Sequence, residues 1–451
     1  MSKKIKTKFL ILGGGLSGLF IALFLKRQGY EPVILEKSDD VGGLARTYSF
    51  QGHSFDVGGH RISFHEHENI QLVQSLIPDL STLTRRSKIY YSDRFIDYPI
   101  TLSSFMSFSK KKLLKIVFEM AFSNRFVKPG NFEEWIRRYY GQTIYEIVFE
   151  HYSRKVWGQD CKNLSAEWAK RRIGYYSFSN LFHNIKAKEN MKQFYYPGRG
   201  IGVLAQNLYQ ELVPQTTVLK NVHVQNIQIE DSSVKGVTCS APEGSYDIQC
   251  EHLMSTIPLK ELLKIAPFAA DHQLQSYGKD IRYRSLLQVN IVLNREHVSD
   301  WHWCYFPDED LIFSRCYEPK YWHGHMGSGK QSTLLCVEIF CQYNDDIWNM
   351  REEDLTRRTG AQLIKIGIIR DQAECQDAYI LRERYAYPLL YLHYETELKR
   401  LTDAVSSVRN LHMSGRNGTH AYYDIEECII NARSLSEKMV SRDGISACAS
   451  S

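Results

Sequence analysis

The most regular hydrophobic pattern lies near the N-terminus, where short apolar runs alternate with a longer one. Residues 9–12 form an apolar run long enough for a buried parallel strand, and residues 19–28 continue as an apolar helix. A second short run, residues 33–35, follows directly. The order predicts a strand, a helix and a second strand, which is the first unit of a doubly wound α/β sheet.

Three glycines lie between the first strand and the helix with the spacing G-x-G-x-x-G: Gly13, Gly15 and Gly18. The first allows a tight turn, the second lets a pyrophosphate approach the backbone, and the third lets helix and strand pack closely. Glu36 lies 18 residues after Gly18, where an acid is expected to meet a ribose hydroxyl. The spacing therefore predicts a dinucleotide site. Its candidate residues in this segment are Gly13, Gly15, Leu16, Ser17, Gly18, Glu36 and Lys37.

The rest of the chain divides by its hydrophobic pattern. Apolar residues recur at helical spacing within residues 101–192, which predicts a helical insertion. We expect residues 443–451 to form a flexible tail.

Composition narrows the class of protein. The 451 residues are 43% hydrophobic and 24% charged, as in ordinary soluble proteins, and the net charge of +5 suits an anionic cofactor and substrate. The sequence contains no stripe of alternating basic and aromatic residues of the kind that indicates nucleic-acid binding. The ten cysteines form no C-x-x-C pair, which favours reduced thiols in the cytoplasm. Lysines before the apolar stretch that ends near Leu25 imitate a signal peptide. The glycine motif lies inside that stretch and no small-residue cleavage site follows, so we expect no secretion.

Two further charged segments have alternative interpretations. Residues 65–68 alternate His and Glu, but no distant Cys or His partner completes a metal site, so we expect no metal. Residues 110–112 are three lysines that we interpret as a solvated helix start, with a membrane-surface role as the alternative. The sequence leaves the oligomeric state open.

Three motifs together resemble a known group of flavoproteins. Residues 42–47 read G-G-L-A-R-T, residues 55–60 read F-D-V-G-G-H, and residues 415–426 read G-R-N-G-T-H-A-Y-Y-D-I-E. They are similar to segments of the UDP-galactopyranose mutase-like branch of the FAD-dependent amine oxidase and protoporphyrinogen oxidase superfamily. The resemblance implies FAD as cofactor and an α/β fold with a discontinuous Rossmann-type FAD-binding domain. That domain is expected over residues 1–100, 193–265 and 405–442, the helical insertion over residues 101–192, and an antiparallel substrate-binding sheet over residues 266–404. The resemblance also implies further cofactor-binding residues, namely Gly43, Leu44, Arg46, Gly59, His60, Gly415, Arg416, Asp424 and Ile425.

The same resemblance implies a substrate site. Residues 283–286 match the Y-R-S-L of mutases, whose arginine binds the substrate diphosphate, and a guanidinium suits that role because its forked donors bind oxygens in pairs. The implied substrate-binding residues are Arg171, Arg172, Arg284, Arg315, Tyr422 and Asp424. The implied catalytic residues are His60, Arg284, Arg172 and Tyr422.

The function implied by the resemblance is a flavin-dependent mutase that interconverts the pyranose and furanose rings of UDP-galactose or a related nucleotide sugar. In that family N5 of the reduced flavin attacks the anomeric carbon, without net redox change, and NAD(P)H is a candidate reductant. His420 and Ala421 replace the Tyr-Arg of mutases, and Pro319 replaces a histidine. These departures keep an FAD-dependent oxidase or desaturase as the alternative, and a non-catalytic flavoprotein as a third hypothesis.

Overall fold

Two large sheets organise the protein in the computed structural model, which describes residues 2–98, 109–122, 128–173, 193–266 and 272–449. The strands are β1 (Lys3–Leu12), β2 (Val33–Leu35), β3 (Thr47–Phe50), β4 (His53–Asp56), β5 (Leu80–Thr84), β6 (Ser87–Tyr91), β7 (Arg94–Tyr98), β8 (Gln193–Pro197), β9 (Thr217–Leu219), β10 (His223–Glu230), β11 (Ser233–Ala241), β12 (Gly244–Ser255), β13 (Tyr283–Leu293), β14 (Trp303–Tyr305), β15 (Arg315–Tyr317), β16 (Thr333–Cys341), β17 (Cys375–Pro388) and β18 (Leu411–Met413).

Helices connect and cover these strands. They are α1 (Leu16–Arg27), α2 (His67–Leu76), α3 (Lys110–Phe122), α4 (Phe132–Tyr140), α5 (Gln142–Ile144), α6 (His151–Trp157), α7 (Ala166–Arg172), α8 (Gly202–Leu212), α9 (Leu259–Ile265), α10 (His272–Asp280), α11 (Pro319–Trp322), α12 (Glu352–Lys365), α13 (Tyr394–Ser406) and α14 (Ile425–Ala449). A π-helical stretch, Tyr145–Glu150, joins α5 to α6.

The first sheet has the strand order β10-β11-β12-β1-β2-β9, and β18 also pairs with β12. The pairs of β1 with β12 and β2, of β2 with β9 and of β12 with β18 are parallel. Helices α1, α8 and α14 contribute to the core on one face, and α9 and α13 contribute to the core on the other. Because both faces are covered, the second half of β1 is almost continuously apolar and buried. The α/β class with a Rossmann-type sheet is confirmed.

The second sheet has the strand order β17-β13-β16-β15-β14-β6-β7. Every residue of β13 and β16 is buried, since α12 packs on one face and the segment 128–173 on the other. Its strand pairs are antiparallel, except that β14 pairs with β6 in parallel. Residues 87–98, which we expected within the first FAD-binding segment, form β6 and β7 of this sheet.

The predicted helical insertion contains α3 to α7. Within that segment, residues 101–108, 123–127 and 174–192 lie outside the described residues. Helix α14 continues to Ala449, where the sequence predicts a flexible tail from residue 443. Across the described ranges, no helix is both long and apolar enough to cross a membrane.

Candidate active site

The glycine motif lies at the carboxyl ends of the parallel strands β1, β2, β12 and β18, the edge at which α/β sheets bind ligands. Gly13 has φ +101°, and a Cβ atom there would lie 2.5 Å from Thr256 Oγ1. A Cβ atom on Gly18 would lie 2.0 Å from the carbonyl oxygen of Gly13. Both glycines are therefore required by close packing between the turn, α1 and β12.

The two glycine segments touch through their backbones. Gly42 N–H donates to the carbonyl oxygen of Gly14 at 2.8 Å, and a Cβ atom on Gly43 would lie 3.2 Å from Gly15 Cα. Gly15 is the N-cap of α1, and no side chain caps that helix end. The first turn of α1, which begins with the buried residues Leu16 and Ser17, therefore offers backbone N–H groups to an anion.

Glu36 follows β2 and is buried beside the glycine turn. Its Oε2 accepts from Gly14 N–H at 2.7 Å, and its Oε1 accepts from Ser38 N–H at 2.8 Å. Each carboxylate oxygen has a second lone pair, which suits a ribose hydroxyl. The neighbouring Lys37 is exposed.

Several buried polar atoms at this edge fit a bound dinucleotide. The hydroxyls of Ser255 and Ser414, at the ends of β12 and β18, are buried without a hydrogen-bond partner among the described residues. Gly415 has φ +79°, and a Cβ atom there would lie 2.7 Å from Ser17 Oγ. Uncapped amides, a fixed carboxylate and orphaned hydroxyls together fit the pyrophosphate and ribose of FAD.

Leu44, Arg46 and Thr47 of the G-G-L-A-R-T segment are partly buried, and Ala45 is buried. Arg46 Nε donates to the carbonyl oxygen of Gly43 at 3.0 Å, and its guanidinium lies 5.5 Å from the centre of the Tyr48 ring. Leu44 packs against the core between the second sheet and the helical segment. Arg46 therefore supports the glycine turn through its own side chain.

The second sheet holds the loop at residues 58–60. Gly58 N–H donates to Gln288 Oε1 on β13 at 2.7 Å, and Gly59 N–H donates to Glu338 Oε1 on β16 at 3.0 Å. A Cβ atom on Gly59 would lie 3.3 Å from the Trp322 ring. The position of this loop is thus set by residues far away in the sequence.

His60 is half-buried at the end of this loop. Burial, together with the charges of Arg416 and Arg315, lowers its pKa to about 4 against the opposing hydrogen bond to Gly58. Its ring is therefore neutral at neutral pH. Nδ1 lies 3.2 Å from the Gly58 carbonyl oxygen, which can only accept, so the proton is on Nδ1 and Nε2 offers a lone pair.

Arg315 on β15 is paired with a buried carboxylate. Its Nε and Nη2 both donate to Glu338 Oε2, at 2.8 and 2.5 Å. Burial acts to lower the pKa of Arg315, but Glu338 outweighs burial and raises it well above its ordinary value. The charge of Arg315 is thus largely neutralised within the protein.

Arg284 on β13 has a different environment. Its side chain is buried, with Nε donating to the Val156 carbonyl at 2.7 Å and Nη2 donating to the Lys155 carbonyl at 3.1 Å. Within the described residues it makes no ion pair. Burial lowers its pKa to about 10, with weak opposition from Cys341 and Asp345. A guanidinium has five N–H donors, so Arg284 keeps donors and charge for an anion.

Aromatic rings surround the space beside Arg284. Tyr387 and Tyr422 stack with ring centroids 5.3 Å apart and planes 4° apart, and the edge of Trp157 approaches both. The guanidinium of Arg416 lies 5.5 Å from the Tyr387 ring and 5.3 Å from the Tyr422 ring, while its Nε donates to the Tyr423 carbonyl at 2.7 Å. The aromatic cluster therefore offers flat surfaces, and Arg416 adds a second cation to that of Arg284.

The end of the closing motif starts the last helix. Asp424 Oδ1 accepts from Glu427 N–H at 3.0 Å, while Glu427 Oε2 accepts from Asp424 N–H at 2.9 Å, which is a capping box. Ile425 is the first residue of α14. Glu426 turns to α2 and accepts from His65 N–H and Glu66 N–H. Asp424 thus has a structural role, whatever it contributes to substrate or cofactor binding.

The structure brings His60, Arg315, Arg416 and Tyr422 into one neighbourhood. Arg284 lies next to it, bonded to the carbonyls just before Trp157. The side chains of Arg171 and Arg172 lie outside the described residues. Sequence reasoning missed Glu338, Tyr387 and Trp157 as site residues. Tyr387 and Trp157 lie in residues 384–391 and 155–158, two segments whose sequence also resembles mutase-like flavoproteins, whereas Glu338 gave no signal. Among the described residues no group of three or more potential ligands could hold a metal ion.

Comparison with known proteins relates this site to flavoenzymes. The family described as "Flavin containing amine oxidoreductase" matches residues 16–439. A probable UDP-galactopyranose mutase of Klebsiella pneumoniae is 27% identical over 186 residues, which are 39% of this chain and 48%, about half, of that protein. A dTDP-fucopyranose mutase of Escherichia coli is 23% identical over 407 residues, which are 83% of this chain and 98% of that protein.

Similarity also extends to solved structures. The crystal structure of a reduced UDP-galactopyranose mutase superimposes with a TM-score of 0.83 at 20% identity, covering 96% of this chain and 94% of that one. At this identity the match establishes the fold. The family match and this fold imply FAD as the cofactor of the site.

Proposed function

The chain belongs to the flavin containing amine oxidoreductase family, and from this premise we propose that it is a flavin-dependent mutase acting on a nucleoside diphosphate sugar. The similarity to mutases of a UDP-sugar and a dTDP-sugar supports the reaction class. The identities of the sugar and of the base, and the use of a reduced flavin, are parts of this proposal.

The observation that carries the proposal is the environment of Arg284. A buried cation without a carboxylate partner is costly, because burial removes its hydration. A substrate diphosphate supplies the missing negative charge and accepts two parallel N–H bonds from a guanidinium. We infer that Arg284 holds the diphosphate while it is a leaving group, and that Arg172 contributes a second cation.

The aromatic cluster supports the remainder of the substrate. The stacked Tyr387 and Tyr422 rings, with Trp157 at their edges, form flat apolar surfaces beside Arg284. Such surfaces suit the apolar face of a sugar ring, and the tyrosine hydroxyls suit its hydroxyls. We infer that Tyr422 orients the sugar between the diphosphate and the flavin.

FAD would be held by the glycine turn, Glu36, Gly415 and Arg416. When bound and reduced, it supplies a nucleophilic nitrogen for the anomeric carbon. The neutral His60 offers the Nε2 lone pair to a hydrogen-bond donor at the flavin edge, and the loop at residues 58–60 excludes water from that face. Arg315, paired with Glu338, keeps this loop against the second sheet.

The test is an anaerobic assay of the dithionite-reduced holoprotein with UDP-galactopyranose and with dTDP-fucopyranose. We expect conversion to the furanose form, resolved by chromatography, with the reduced protein and none with the oxidised protein. Peroxide formation with an amine or porphyrinogen, and no ring contraction of either sugar nucleotide, would instead identify an oxidase.

A reductant is needed if the reduced flavin is the working form. We propose that NAD(P)H supplies the electrons. Stopped-flow bleaching of the flavin absorbance by NADPH or NADH supports this proposal, and bleaching by dithionite alone contradicts it.

A further inference from the structure

Helix α3 carries an apolar face that is largely exposed. Leu114, Val117, Phe118 and Phe122 are 71%, 44%, 63% and 73% exposed. Among the described residues, nine large apolar side chains are exposed, and these four lie within one nine-residue stretch. The rings of Phe118 and Phe122 contact each other, with centroids 4.6 Å apart. Such a concentration of exposed apolar side chains marks an interaction surface.

The opposite face of α3 is anchored to the protein. Ile116 is 1% exposed, and Lys112 Nζ donates to the Tyr91 hydroxyl on β6 at 3.1 Å. Glu119 accepts from the N–H and the hydroxyl of Thr143 at 2.7 and 3.1 Å. The helix is therefore held in one orientation, with its apolar face outward.

The charges of the outward face have one sign. Lys110, Lys111 and Lys115 are exposed on it, and the one carboxylate within α3, that of Glu119, is turned inward to Thr143. Lys115 lies 3.7 Å from Glu119 at the boundary of the face. A helix with an apolar face and flanking lysines has the pattern of a helix that lies in a membrane interface.

We propose that the outward face of α3 binds the surface of an anionic phospholipid membrane. The phenylalanines enter the boundary between headgroups and acyl chains, while the lysines contact the headgroup phosphates. The 13-residue helix is too short to span the bilayer, so it lies on the surface. A second copy of this chain is a poorer occupant, because an isologous contact would oppose equal clusters of lysines.

The test is co-sedimentation of the holoprotein with vesicles of phosphatidylcholine alone or mixed with phosphatidylglycerol. We expect binding to the mixed vesicles, weakened by salt, and little binding to phosphatidylcholine alone. F118S/F122S should weaken binding at least about tenfold by removing the apolar anchor. K110E/K111E should weaken it by about tenfold and remove the salt dependence.

A matched pair of variants separates this face from general surface hydrophobicity. Val117 is 44% exposed on α3, and Val213 is 46% exposed after α8. We expect V117D to lose vesicle binding and V213D to bind like the wild type, with flavin absorbance and Tm unchanged in both. Equal loss in the two variants, no sedimentation of the wild type, or a dimer in light scattering that V117D dissociates would each overturn the proposal.

Discussion

Two arginines on neighbouring parts of one sheet differ in how the protein treats their charge. Arg315 is paired with Glu338, which also accepts from Gly59 N–H. Arg284 bonds only to carbonyl oxygens at the end of α6 within the described residues. The protein thus neutralises one cation to hold a loop, and we propose that it leaves the other for a ligand. Both arginines match substrate positions in the sequence, but their different partners show that they do not have equal roles.

The largest effect is expected from Arg284. Arg284→Met keeps most of the side-chain volume but removes the charge, and should lower kcat/KM by about 10²- to 10³-fold. Arg284→Lys should fall between this variant and the wild type, since an ammonium lacks the forked donors. Mutase assays measure both. The exposed neighbour Arg282 is the control, and Arg282→Met should leave kcat/KM unchanged.

Removing the partner of Arg315 should act on stability instead. Glu338→Gln leaves Arg315 buried without a counter-charge and should lower the free energy of unfolding by about 3 kcal/mol, measured by urea denaturation. The double variant R315M/E338Q should recover part of this loss. Glu352→Gln breaks the more exposed pair with Arg382 and should cost less than about 1 kcal/mol. A loss in Glu338→Gln no larger than this would remove the contrast between the two arginines.

Gly158 tests whether the position of Arg284 matters as well as its charge. Gly158 has φ +64°, and a Cβ atom there would lie 2.4 Å from Arg284 Nη1. Gly158→Ala should therefore displace the guanidinium and lower kcat/KM by about tenfold. Gly367 has φ +74° with open space around it, so Gly367→Ala should cost only about 1 kcal/mol of stability through backbone strain. If both variants retain full activity, the position of Arg284 does not limit the reaction.

The smallest effect is expected from His60, through pH. Its pKa is about 4 in the folded protein and near 6.5 when unfolded, so the unfolded chain binds more protons between these values. His60 therefore makes stability fall as pH decreases from 6.5 to 4. In His60→Asn, the urea midpoint should decrease less between pH 6.5 and pH 4 than it does in the wild type. His393→Asn, at an exposed position, should show the same pH dependence as the wild type. An unflattened curve in His60→Asn would show that the histidine is not held neutral.

The cofactor side of the site could be predicted because its information is local. The glycine turn, the start of α1 and Glu36 lie within one strand–helix–strand unit, where spacing fixes geometry. The substrate side depends on strand register. Arg315 and Glu338 are direct partners across β15 and β16, as Arg284 and Tyr387 are across β13 and β17. A single sequence does not specify these pairings, and for the same reason it did not assign β6 and β7 to the second sheet.

The central claim is that Arg284 is reserved for a diphosphate, and equilibrium binding of UDP to the holoprotein tests it most directly. Isothermal titration should show that UDP binding weakens as the salt concentration rises, because salt screens the attraction between the diphosphate and the guanidinium. Arg284→Met should weaken it at least about tenfold, the value of a charge-assisted pair of bonds. Arg282→Met should bind as the wild type does. Equal affinities of the wild type and Arg284→Met would contradict the account.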